Sequence, residues 1–253
     1  MAVEMSVEMK AEGMVDMLKA QSSKVFKDFL GGLDPRFTIS ELSFQSVDFF
    51  GVRAAFVKFQ AEATFQAKPV PGIVLCRGPA VSLLMILNCE ERGKFVIMVR
   101  QPRLAIGRWI LELPAGMMDE SKKFKGKIIE EVLEETLIHI DGTTIKDMTE
   151  IAYGPGTFAG PGGSEALVAG GPLLGMYSSM GLLDEYIRLM VHESDISADE
   201  LDKIHGRIAG KAEEGEHIRV EVVPLQNAWK VCSDPKLLGS LCLYDRLKAS
   251  GEI

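Results

Sequence analysis

Apolar residues recur at roughly helical spacing over residues 7–30, at Met14, Leu18, Val25, Phe26, Phe29 and Leu30, and Gly31-Gly32 then supplies a stop. An amphipathic N-terminal helix is predicted, and its acidic polar face suits packing against protein better than anchoring in lipid. Over residues 37–65 the pattern changes to alternation. Phe44, Val47 and Phe49 precede Gly51, and Val52, Ala54, Phe56 and Val57 follow it, which reads as strand, turn, strand. Pro69, Pro71 and Gly72 break the run, so a domain boundary is placed there, with an N-terminal segment at 1–70 and a main domain at 71–253.

The main domain begins with two β-rich runs, 80–87 and 94–99, and a third strand near 109–113 that ends at Pro114. A helix follows, then further strands at 186–191 and 218–223 and helical signals at 225–231 and 235–247. Strands alternating with helices predict an α/β (α+β) architecture. Between them lies a Gly-rich stretch, 154–175, containing GPGTFAG and GPGG. It matches neither GxGxxG nor a P-loop, so it reads as a long loop rather than a phosphate cradle.

Composition narrows the possible functions. The 253 residues are 47% hydrophobic and 25% charged, as expected of an ordered globular chain. The net charge of −8 comes with no Lys/Arg-rich run, which argues against a nucleic-acid partner and makes a bound cation easier to accommodate. Cys76, Cys89, Cys232 and Cys242 form no CxxC pair, so they read as reduced thiols, mostly buried. The longest apolar stretch, near 80–87, is too short to span a bilayer. Glu4, Glu8, Glu12 and Asp16 are unlike an Arg-rich transit peptide, so a cytoplasmic protein with no membrane partner is expected. His139, His192, His205 and His217 form no metal-ligand or triad pattern and read as structural or surface residues.

The informative segment runs from Gly116 to Ile138. On a helix Ile128, Ile129, Val132 and Leu133 are expected on one side, with Glu130, Glu131, Glu134 and Glu135 opposite. The pairs 130/134 and 131/135 place like charges one turn apart, at about 0.2–0.5 kcal/mol each. Solvent and salt can screen such a face. Alternatively, divalent cations sit among the carboxylates, since hard ions take oxygen ligands.

This segment resembles the Nudix box, G-x5-E-x7-R-E-U-x-E-E-x-G-U, where U is a bulky aliphatic residue. Gly116, Glu131, Val132, Glu134, Glu135 and Ile138 are in register. The preceding Leu-Glu-Leu-Pro-Ala-Gly, 111–116, is similar to the strand entering the box in the ADP-ribose and ADP-sugar pyrophosphatase branch. Over residues 40–250 the likeness is to plant-type ADP-sugar diphosphatases. Three box positions depart: Lys122 stands for the early glutamate, with Asp119 or Glu120 as substitutes, Glu130 for the arginine and Leu137 for the second glycine.

The resemblance implies a Nudix α/β/α sandwich with a mixed central sheet. It also implies Mg²⁺- or Mn²⁺-dependent cleavage of a nucleotide-sugar pyrophosphate. By the family pattern Glu131, Glu135 and the Ala115 carbonyl would bind metal and Glu134 would complete the cluster. A loop glutamate, either Glu185 or Glu165, would position or activate water, and Arg103, or alternatively Arg100, would contact the pyrophosphate. Members of the branch commonly pair through an N-terminal β segment, so a homodimer through residues 37–65 is expected. The three departures motivate an alternative, a catalytically weak or inactive Nudix module that binds a nucleotide ligand.

Overall fold

The computed structural model describes residues 8–11, 16–118, 123–154, 175–211 and 216–253. Glu165, Asp119, Glu120, Lys122 and nearly all of the Gly-rich stretch lie outside the described residues. Contacts divide the chain into two compact units. The described residues of the first fall within Met1–Pro79 and Tyr177–Tyr186, and those of the second mainly within Ala80–Phe158 and Ile187–Ile253.

In the first unit, the single helix expected over 7–30 is replaced by a strand and two short helices, β1 (Glu8–Ala11), α1 (Met17–Ser22) and α2 (Lys24–Gly31). Ser23 separates the helices with an extended backbone, φ −61° and ψ 144°. Its hydroxyl donates to the Ala20 carbonyl at 2.7 Å and accepts from the Phe26 N–H at 3.4 Å. A serine that satisfies both helix ends offers the backbone an alternative to continuing the helix. Residues 8–11 alternate polar and apolar, and they pair in parallel with Glu41–Phe44.

The expected strand–turn–strand is present as β2 (Phe37–Phe50) and β3 (Arg53–Phe65), paired antiparallel, with β4 (Lys68–Val70) and β5 (Ile73–Cys76) also on β3. Phe26 from α2 packs edge-on against Phe44 at 5.0 Å and Phe59 at 5.6 Å between ring centroids. All three rings are fully buried. At about 1.5–3 kcal/mol for each buried apolar side chain, this aromatic knot anchors α2 on the sheet.

The second unit is built on a larger sheet whose strands are β6 (Ala80–Cys89), β7 (Gly93–Arg103), β8 (Arg108–Glu112), β9 (Ala115–Met117), β10 (Lys146–Asp147), β11 (Met176–Tyr177), β12 (Tyr186–Asp195), β13 (Ile208–Ala209) and β14 (Ile218–Pro224). Its main path is β10-β12-β6-β7-β14-β13, with β8 added to β7 and β9 to β6. β12 runs parallel to β6 and β7 antiparallel to it, so the sheet is mixed.

Along β6 every residue except Asn88 is buried, because both faces are covered. On one face Leu84, Ile86, Val96, Met98, Leu111 and Leu113 meet α4 (Met148–Tyr153), α6 (Leu225–Val231) and α7 (Pro235–Ser250). On the other, Val81, Leu83, Met85, Ile97 and Val99 meet α3 (Phe124–Thr136) and α5 (Ala198–Ile204). This is the expected α/β/α sandwich. Cys76, Cys89 and Cys232 are buried free thiols and Cys242 is exposed. Among the described residues no helix is long and apolar enough to cross a membrane.

Candidate functional site

The segment from β8 to β9 is fixed by the central strand. The Pro114 carbonyl accepts both the Ser82 hydroxyl and the Leu83 N–H, each at 3.0 Å. β9 then pairs with β6 in the register Ser82↔Ala115, Val81↔Gly116 and Ala80↔Met117. Proline can end β8 because it has no N–H to pair, while its carbonyl remains a strong acceptor. Ser82 is fully buried, so its hydroxyl needs such a partner.

This register brings Gly116 against α3. A Cβ built on Gly116 would lie 2.1 Å from Cδ of Glu131, so the glutamate carboxyl occupies space that any larger residue would fill. Glycine is required here for close approach.

The placement of Glu135 differs from the sequence reading. It was expected opposite Ile128 and Val132, yet it is buried with them, at 6% exposure. Seven residues of helix turn through about 700°, leaving Glu135 about 20° from Ile128 on the same stripe. One of its carboxylate oxygens accepts the Ala115 N–H at 3.1 Å. Burial, then the nearby Glu131 charge, holds its carboxyl well above the usual range despite that hydrogen bond.

Glu131 is also shifted upward, first by burial, with an ion pair to Lys127 opposing the shift and Glu134 adding to it. Glu134 is more exposed and pairs with Lys211 at 2.9 Å. The helix ends at Leu137, the position of the family's second glycine, and Leu137 adopts the left-handed conformation with φ 59°.

The two arginine candidates separate. Arg100 lies across from Arg219 in the β7–β14 ladder and pairs with Glu221 at 3.2 Å. Arg103, at the end of β7, donates its Nε to Glu112 at 2.7 Å, with 46% of its side chain exposed. Behind it Lys236 contacts Glu112 and Asp234, each at 3.1 Å.

Glu185 belongs to the first unit. It is buried rather than an exposed loop acid, accepting the Ser178 hydroxyl at 2.7 Å and lying 3.1 Å from Arg77 Nε. Its neighbour Asp184 accepts the backbone N–H groups of Arg77 and Gly78 at 2.7 and 3.1 Å. Of the histidines, His192 is buried, with Nδ1 2.7 Å from the Thr144 hydroxyl.

Sequence reasoning missed Lys127, Glu112 and Lys236. Lys127 stands four residues before Glu131, a visible ion-pair spacing, and Glu112 lies inside the Leu-Glu-Leu-Pro-Ala-Gly run. Lys236 carries no sequence signal, because only the fold brings residue 236 to residue 112.

Whether the acidic residues suit a divalent cation is tested by their charge balance. Among the described residues no group of three or more His, Cys, Asp or Glu side chains is drawn together as a metal cage. The donor chemistry nonetheless fits. Two carboxylates lie one turn apart, Glu135 buried and Glu131 partly buried; both resist ionisation, and Glu135 accepts a neutral N–H from Ala115. A hard dication supplies the missing positive charge and takes oxygen ligands.

No protein-family model matches the sequence. A crystal structure described as an ADP compounds hydrolase aligns with 86% of this chain and 97% of its own, with a TM-score of 0.49 and 13% identity. The chain is 30% identical over 250 residues to Nudix hydrolase 14, chloroplastic, of Arabidopsis thaliana, spanning 93% of this chain and 74% of that protein. At that identity, over nearly the whole of this chain and about three quarters of the relative, the chain belongs to the Nudix hydrolase family.

Proposed function

We propose that the protein hydrolyses the pyrophosphate of a nucleoside diphosphate sugar, such as ADP-ribose or ADP-glucose, to a nucleoside monophosphate and a sugar phosphate, using Mg²⁺ or Mn²⁺. Nudix hydrolases generally use such metals. The observation that carries the reading is the placement of partly buried Glu131 and buried Glu135 beside Ala115 and Gly116, with their charges only partly offset.

Glu131, Glu135 and the Ala115 carbonyl are the groups that would hold the metal, and Glu134 would complete the set once Lys211 gives way. When bound, the metal neutralises diphosphate oxygens and makes water more acidic. The chain's own residues do the rest. Glu135 is fixed by the Ala115 N–H, so its carboxylate needs no reorganisation when substrate arrives. Arg103 offers guanidinium donors to a phosphate oxygen. Arg100, engaged by Glu221 and with its side chain 33% exposed against 46% for Arg103, is the weaker choice. Glu185, held by Ser178 and Arg77, is the favoured loop glutamate for orienting water, with Glu165 the alternative.

The exposed Phe50 and Val52 at the β2–β3 turn support the first unit as the homodimer contact. A cytoplasmic location remains part of the same proposal.

Incubation with ADP-ribose, ADP-glucose, UDP-glucose and dinucleotides plus Mg²⁺ or Mn²⁺ should release a phosphomonoester, and EDTA should stop it. The ion pairs Lys127–Glu131 and Lys211–Glu134 favour a second reading, a Nudix module that binds a nucleotide without cleaving it. Ligand binding with no turnover across the panel would select that reading.

A further inference from the structure

The buried charges behind Arg103 form a continuous chain. Asp234 caps α7, one oxygen accepting the Lys236 N–H at 2.9 Å and the other the Leu113 N–H at 3.2 Å. The ammonium of Lys236 is held 3.1 Å from Asp234 and 3.1 Å from Oε2 of Glu112. Oε1 of Glu112 accepts Nε of Arg103 at 2.7 Å. The Glu112 and Asp234 side chains are 7% and 4% exposed and that of Lys236 is 16% exposed, whereas Arg103 is 46% exposed. The charges that face Arg103 are Glu112, Glu135 and Asp234.

An arginine beside a carboxylate ordinarily spends two N–H groups on it, one for each oxygen. Here the second oxygen of Glu112 is taken by Lys236. Arg103 is consequently held through Nε alone, and among the described residues its two terminal amino groups donate to nothing. The cluster of Arg103, Lys236, Glu112 and Asp234 is neutral as a whole. Removing the ammonium would leave it with a net negative charge and free Oε2 to pull the guanidinium inward.

We propose that Lys236, acting through Glu112, is a positioning residue that keeps the outer edge of Arg103 available to a phosphate group. This deepens the proposed function and rests on its assignment of Arg103 to the diphosphate. Lys236 touches neither the substrate nor the metal. It sets the direction in which Arg103 presents its donors.

Titration calorimetry with ADP and Mg²⁺ tests this on the full chain, comparing the unmodified protein with Arg103→Ala, Lys236→Met and the double variant. Arg103→Ala should weaken ADP binding roughly tenfold, the loss of one charge-assisted contact. Lys236→Met should weaken it by a similar factor, and the double variant should bind no more weakly than Arg103→Ala alone. A merely structural role for Lys236 would give losses that multiply. Unchanged affinity in Lys236→Met, or full multiplication in the double variant, overturns the proposal. Unchanged affinity in Arg103→Ala instead overturns the role of Arg103 itself. If circular dichroism shows Lys236→Met unfolded, Glu112→Gln takes its place, with the same expected loss and the same absence of multiplication.

Discussion

Gly116 and Glu131 are in such close apposition that the carboxyl of one lies where a side chain on the other would begin. A Cβ at residue 116 would come within 2.1 Å of Glu131 Cδ and 2.3 Å of Oε1. Gly116→Ala must therefore displace the carboxylate rather than the backbone, since the clashing atoms are the far end of a side chain. Misplacing a catalytic group by about 1 Å can cost on the order of a hundredfold. The expected result is a fall in kcat/KM of about that size with a change in Tm of only a few degrees, read by phosphate-release kinetics and thermal melting.

Leu137 closes α3 in a conformation that L-residues avoid, with φ 59°, and its side chain is half exposed. A non-glycine residue there costs roughly 1–2 kcal/mol, while little apolar burial would be lost on truncation. Leu137→Gly is expected to raise stability by about 0.5–1 kcal/mol, after the added flexibility of the unfolded chain is deducted. The urea midpoint measured at constant m-value checks this.

Glu135→Gln separates the cost of a buried charge from its use. The amide oxygen can still accept the Ala115 N–H, and burial, the main cause of the raised pKa, no longer opposes an ion. In EDTA the variant should be at least as stable as the unmodified protein. Its hydrolysis should fall by roughly two orders of magnitude and its Mn²⁺ binding, followed by electron paramagnetic resonance, should weaken clearly. Full retention of both would remove Glu135 from the metal site.

Acid should loosen the attachment of α7 to β12. Burial pushes Glu193 upward, but hydrogen bonds from Lys248 at 2.7 Å and Tyr244 at 3.0 Å bring its carboxyl net below the usual range. A depressed carboxyl stabilises the fold above its unfolded value of about 4.5, and that contribution is lost as pH falls through the lower folded value. Urea midpoints should therefore drop between pH 5 and pH 3 more steeply for the unmodified protein than for Glu193→Gln. Parallel curves would show that these bonds carry no pH-dependent stability.

Long, strongly patterned segments were legible in the sequence. The alternation around Gly51 gave β2 and β3, and the apolar run at 80–87, broken only by Ser82, gave β6, which is buried on both faces. The N-terminal helix was misread because apolar spacing was followed across Ser23, where side-chain hydrogen bonds end one helix and start another. The box glutamates were recognisable as a group, but their faces were not. A seven-residue step nearly closes two helical turns, so Glu135 follows Ile128 into the core. The sequence already favours Arg103 over Arg100, but the carboxylate partner of each, Glu112 and Glu221, comes only from the fold. The link from Lys236 to Glu112 joins residues 124 positions apart and has no local signature.

The Pro114 carbonyl, gripped from one side by a serine hydroxyl and a backbone N–H, makes the deepest strand the surveyor of the acidic helix. A methyl-sized change at Ser82, remote in sequence from any glutamate, would shift the datum from which Ala115 and Gly116 are set out. The backbone beside Glu131 and Glu135 can thus be re-aimed by substitutions wholly inside the core, with the acidic helix itself unchanged.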